Sequence, residues 1–81
     1  MDEQKPVVAD TTRQFGFRLC RVMALRKISV QRLSTRTGIA RSHLSQYRSG
    51  VKEPMLFNLV KLCKALPASA DYLCGLESDC E

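Results

Sequence analysis

Ser29-Val-Gln-Arg-Leu-Ser-Thr-Arg-Thr-Gly-Ile-Ala-Arg-Ser-His-Leu-Ser-Gln-Tyr-Arg-Ser-Gly50 is the stretch whose reading decides the fold. Ser29 is suited to cap a helix over about 30–37, because its hydroxyl can accept a backbone N–H that a first helical turn leaves without a partner. Leu33 gives that helix an inward anchor, and Gly38 supplies the left-handed residue on which helices commonly stop. After Ile39 a further helix is expected from about Arg41 to Ser49, with Leu44 and Tyr47 three residues apart on one face and Gly50 at its end.

The flanks extend the same pattern. Thr11 and Gln14 fit a capping box that would open a first helix over about 12–27, with Phe15, Leu19, Val22, Met23 and the stem of Arg26 turned inward. Gly16 inside it costs about 1 kcal/mol relative to alanine. Pro54 starts a fourth helix, roughly 54–66, in which Leu56, Leu59, Val60, Cys63 and Leu66 form the inward stripe, and Pro67 stops it. Ser69 caps a last short helix through about Cys74. No strand alternation interrupts these segments, so an all-α five-helix bundle is expected over residues 11–76. Residues 1–10 read as a flexible arm and 77–81 as an acidic tail.

Charge is sorted along the chain. Between Arg13 and Lys52 there are ten basic residues and no Asp or Glu, whereas the acids Asp2, Glu3, Asp10, Glu53, Asp71, Glu77, Asp79 and Glu81 all lie outside. A solvated helix face normally mixes both signs. An uninterrupted basic block instead matches a polyanion, whose phosphates reward it through counterion release. With 81 residues and 44% apolar content, one small domain folds, burying roughly 60% of its unfolded surface.

Other function classes find little purchase. No apolar run approaches the ~18 residues of a membrane span, and the opening Met-Asp-Glu-Gln lacks a signal peptide's basic start, so a cytoplasmic location is expected. Cys20, Cys63, Cys74 and Cys80 contain no Cys-x-x-Cys pair, and His43 is the only histidine, so neither a metal site nor a cofactor is expected. Cys20 and Cys63 fall on apolar stripes, while Cys74 and Cys80 are the pair near enough in sequence to oxidise. No set of residues suited to acid–base or nucleophilic chemistry is present, and no enzyme is expected.

The helix from Arg41 to Ser49 offers on its outer face only Arg41, Ser42, Ser45, Gln46 and Arg48. Arginine can bond guanine bidentately and glutamine adenine, which suits a major groove. Two short helices around a glycine turn are a helix-turn-helix. On Leu19, Leu33, Gly38, Ile39, Leu44, Gly50, Pro54, Leu59, Cys63, Leu66 and Ser69-Ala-Asp-Tyr-Leu73, the stretch from about Phe17 to Gly75 resembles the Cro/repressor-type helix-turn-helix family, the XRE-like transcriptional regulators. The resemblance implies a five-helix bundle that binds double-stranded DNA as a homodimer. It places base readout on Arg41, Ser42 and Gln46 with Ser45 adjacent, and backbone contacts near Val30, Gln31, Arg48, Ser49, Val51 and Lys52, with Arg32 able to stand in.

The chain departs from that pattern in several places. Val30 stands where the family commonly has a phosphate-bonding Gln, so Gln31 or Arg32 takes over that contact. Ser34 replaces an alanine and needs a hydrogen-bond partner if buried. Ala40 replaces the usual Ser or Thr cap, a loss of about 1 kcal/mol. Met23 and Arg48 occupy the places of a frequent Arg–Glu ion pair, which frees Arg48 to meet a phosphate. Met55, Phe57 and Tyr72 are the candidates for a dimer contact, and His43 is expected to face the turn or the second helix, in a packing or solvent role and not at a base. The functional expectation is a dimeric, sequence-specific repressor on a pseudo-palindromic operator. An antitoxin or adaptor that binds a protein partner through the same bundle is the alternative.

Overall fold

The computed structural model describes residues 5–66, 68 and 70–76. Its helices are α1 (Lys5–Arg26), α2 (Val30–Thr37), α3 (Arg41–Ser49), α4 (Leu56–Ala65) and α5 (Ala70–Cys74). The all-helical expectation holds, and among the described residues there is no strand. α1 packs against α3 and α5, α2 against α3 and α4, and α4 against α5.

One core joins the helices: Phe15, Leu19, Val22 and Met23 of α1 meet Leu33, Ile39, Leu44, Tyr47, Leu62, Leu66 and Leu73. The Phe15 and Tyr47 rings pack edge to face, 6.5 Å apart and inclined by 77°, an arrangement that adds about 0.5–1.5 kcal/mol to their burial. Arg26 is exposed and does not belong to the inward stripe. Gly16 has a tertiary reason that helix propensity does not reveal. A Cβ there would stand 2.5 Å from the Tyr47 carbonyl oxygen and 2.9 Å from that of Arg48, so α1 and the end of α3 approach only because that side chain is missing.

The start of α1 corrects the expected arm. The helix begins at Lys5 and runs through residues 5–10, with Pro6 tolerated in a first turn whose N–H groups have no helical acceptors. Thr11 therefore lies inside the helix and not at its start. Thr12 is buried, and its hydroxyl donates to Glu53 Oε1 at 3.0 Å, tying α1 to the loop before α4. Residues 1–4, Pro67, Ser69 and the tail 77–81, on which other expectations fell, lie outside the described residues.

α4 starts at Leu56, two residues after Pro54, and its inward stripe is displaced from the expected one. Leu62 and Leu66 are fully buried and Leu59 and Cys63 partly so, whereas Leu56 is 75% and Val60 44% exposed. The sequence from Met55 to Cys63 is apolar on more than one helical face, and contact with α2 and α5 selects the face carrying Leu59, Leu62, Cys63 and Leu66. No described helix is long and apolar enough to cross a membrane.

Candidate nucleic-acid interface

The interface is built on the α2-turn-α3 unit. Ser29 caps α2 as expected, its hydroxyl oxygen accepting from the Arg32 N–H at 3.1 Å. Gly38 and Gly50 end α2 and α3 at φ of 79° and 81°, the left-handed conformation in which a Cβ is strained. Leu44 and Tyr47 are buried, which fixes the rotation of α3 about its axis. With that face inward, Arg41, Ser42, Ser45 and Gln46 are all exposed together, and so are Arg48 and Ser49 at the helix end. His43 is exposed as well.

The residues expected at a phosphate backbone flank this face. Gln31 and Arg32 are exposed on the first turn of α2, Lys52 is exposed after α3, and Val30 is partly buried against the core. The Ser49 hydroxyl donates to the Gln46 carbonyl at 3.2 Å. Among the described residues, no carboxylate pairs with Arg32, Arg41, Arg48 or Lys52. An exposed ion pair joins Arg13 to Asp10 on α1, 2.8 Å apart. Met23 is buried in the core and Arg48 is exposed, so neither member of a buried ion pair stands at these two places. Met23, Arg48, Cys20, Lys27 and Val30 share a cleft of about 410 Å³ between α1, α2 and α3.

Three supports were not legible as such in the sequence. Ser34, half-buried, donates to the Ile39 carbonyl at 2.6 Å, and buried Thr37 accepts from the Ile39 N–H at 3.1 Å while donating to Leu33 at 2.8 Å. Asn58 of α4 donates to the Tyr47 hydroxyl at 3.2 Å, satisfying a phenol whose ring is buried. Arg36 donates to the Ala65 carbonyl at 3.3 Å and so closes the end of α4 from α2. A polar residue on an amphipathic helix signals exposure; only the three-dimensional partner reveals these roles. Ala40, by contrast, is uncapped as expected.

The residues considered for a dimer contact fall on two helices. Met55 and Phe57 are 68% and 57% exposed, and with Leu56 and Val60 they leave the start of α4 largely apolar on its outer side. The Lys61 ammonium sits 5.1 Å from the centre of the Phe57 ring. Tyr72 lies on α5, half-buried against the core, with the Arg18 guanidinium 5.9 Å above its ring. Cys20, Cys63 and Cys74 are free thiols; burial pushes the Cys63 thiol up, and Cys74 adds to that shift. Cys80 lies outside the described residues.

Comparison with known proteins agrees with this geometry. A family model for the helix-turn-helix family HTH_3 matches residues 18–73. An uncharacterized HTH-type transcriptional regulator of Bacillus subtilis (strain 168), YobD, is 34% identical over 62 residues, which cover 76% of this chain and 55% of that protein. The chain thus spans about half the length of that curated relative. Among solved structures, the restriction-modification controller protein C.AhdI from Aeromonas hydrophila is similar with a TM-score of 0.73 and 29% identity, over 80% of this chain and 97% of the controller. An HTH_3 family transcriptional regulator from Vibrio cholerae shares the fold with a TM-score of 0.76 at 22% identity, over 85% of this chain and 39% of its own.

Proposed function

Because the chain belongs to the HTH_3 helix-turn-helix family, we propose that it binds double-stranded DNA sequence-specifically and regulates transcription, as a dimeric repressor that occludes a promoter. A curated relative with 34% identity is described as an HTH-type transcriptional regulator, which supports regulation and not catalysis as the role of the chain. The observation that carries the reading is the outer face of α3, where Arg41, Ser42, Ser45 and Gln46 are exposed together and no carboxylate occurs. Arg41 and Gln46 supply the bidentate donors and acceptors that distinguish base pairs in a major groove, with Ser42 and Ser45 beside them. Gln31, Arg32, Arg48, Ser49 and Lys52 take the flanking phosphates and set the register. The likeness to a restriction-modification controller supports a regulatory role.

Dimerisation follows from the apolar start of α4. Met55 and Phe57, with Leu56 and Val60, are costly to leave in water, and a second copy related by twofold symmetry would cover them, with Tyr72 at the margin. The operator is then pseudo-palindromic, with half-sites about 34 Å apart. The same surface supports the alternative of an antitoxin or adaptor that binds a different protein.

Selection of random duplex DNA by the purified protein, with binding compared near ~50 and ~200 mM salt, tests the reading. An inverted repeat should be recovered. Failure to enrich any motif, with binding lost as salt rises, would leave only electrostatic attachment and favour the protein partner.

A further inference from the structure

The chain enters α3 through Ile39, and three independent constraints act on that one residue. Its side chain is buried, 4% exposed, in the core. Its carbonyl accepts from Ser34 Oγ at 2.6 Å, and its N–H donates to Thr37 Oγ1 at 3.1 Å. Thr37 is itself held, since its hydroxyl donates to the Leu33 carbonyl at 2.8 Å. Both polar backbone groups of Ile39 are thus tied to hydroxyls on successive turns of α2. The residue that follows, Ala40, contributes no side-chain cap, so the start of α3 lacks the anchor that Ser or Thr would give it there.

We propose that Ser34 and Thr37 are positioning residues for DNA readout, which act through Ile39 to fix the direction in which α3 leaves the turn. The inference rests on the proposed operator binding and assigns part of its specificity to two side chains that do not face the DNA. Leu44 and Tyr47 hold the middle and the end of α3 through side-chain packing, and Asn58 holds Tyr47 from α4. The first half carries Arg41 and Ser42, and the Ile39 clamp is the hydrogen-bonded restraint next to it. Hydrogen bonds to base edges weaken steeply with misalignment, and a site held about 1 Å too loosely loses them. Long cationic side chains at phosphates follow such a displacement without loss. Loosening the clamp therefore lowers the preference for the operator and leaves nonspecific attachment intact, whereas a purely structural role would lower neither below the melting temperature.

The test uses the whole chain, with Ser34→Ala and Thr37→Val compared with the hydroxyl-retaining Thr37→Ser. Affinity is measured at fixed salt for a duplex enriched by selection and for an unrelated duplex, well below each protein's melting temperature. Each lost hydroxyl should weaken binding to the enriched duplex roughly three- to tenfold. Binding to the unrelated duplex and the salt slope should stay as they were, and Thr37→Ser should restore the preference. Equal weakening on both duplexes, or an undiminished preference, would overturn the inference. If Thr37→Val does not fold, Ser34→Ala at its half-buried position decides alone. The unaltered chain is measured first: absence of any preference there would overturn the operator reading and this inference together, while preference retained by the variants overturns this inference only.

Discussion

The outer face of α3 and the outer face of the start of α4 are both exposed, but for opposite physical reasons. On α3 the exposed side chains are polar or cationic, and the helix beneath them is fixed by buried Leu44 and Tyr47, by the close pass of Gly16 and by the Ile39 clamp. On α4 the exposed side chains are Met55, Leu56, Phe57 and Val60, and the helix starts without a side-chain cap after a loop that a hydrogen bond from Thr12 to Glu53 ties to α1. A rigid polar surface suits geometric readout of a polyanion. An apolar one suits area burial against another protein, where adaptability costs less. On the proposed function, the two surfaces of one small bundle serve different kinds of partner.

The strongest way to break this contrast is to dislodge α3. Gly16→Ala should destabilise the chain by about 2–3 kcal/mol, because the new methyl must displace backbone and not a flexible side-chain end. Chemical denaturation would show it as a lower midpoint, and an unchanged midpoint would mean that α1 and α3 are not in such close contact. Removing the apolar anchor of the other surface comes next. Phe57→Ser should weaken self-association by about 1–2 kcal/mol, roughly tenfold, in sedimentation experiments while leaving the monomer folded, since the ring is more than half exposed. A chain that is monomeric to begin with would detach dimerisation from this face.

Smaller changes sharpen the contrast. Ala40→Ser should raise stability by about 0.5–1 kcal/mol by giving α3 the cap it lacks. No gain would indicate that the turn geometry keeps a hydroxyl from reaching the first N–H groups. Arg48→Ala should reduce the slope of log affinity against log salt by about 0.9 on every duplex, the signature of one lost phosphate contact. An unchanged slope would place Arg48 away from the backbone.

The regions also differ in how far the sequence could be read. Ser29, Gly38 and Gly50 announce the limits of α2 and α3 because caps and left-handed stops are local chemistry. Leu33, Leu44 and Tyr47 identify the inner face, since few other apolar residues compete with them on those helices. Around α4 the apolar residues are too many for periodicity to choose among stripes: the spacing predicts Leu56 inward, whereas Leu62 is the buried residue. Pro6 and the absence of apolar spacing conceal the early start of α1. Ser34 is intermediate: its need for a partner is visible in the sequence, but the Ile39 carbonyl that meets it becomes visible only once the turn is built.

The claim that α3 reads bases is tested most directly by the Arg41→Ala/Gln46→Ala double variant on an enriched duplex and on a scrambled one at the same salt. Both side chains are exposed, so folding should be preserved. Each bidentate pair carries about 1–3 kcal/mol of discrimination, so affinity for the enriched duplex should fall to nearly that for the scrambled one, which changes little. An undiminished preference for the enriched duplex would contradict the account and move specificity to another part of the molecule.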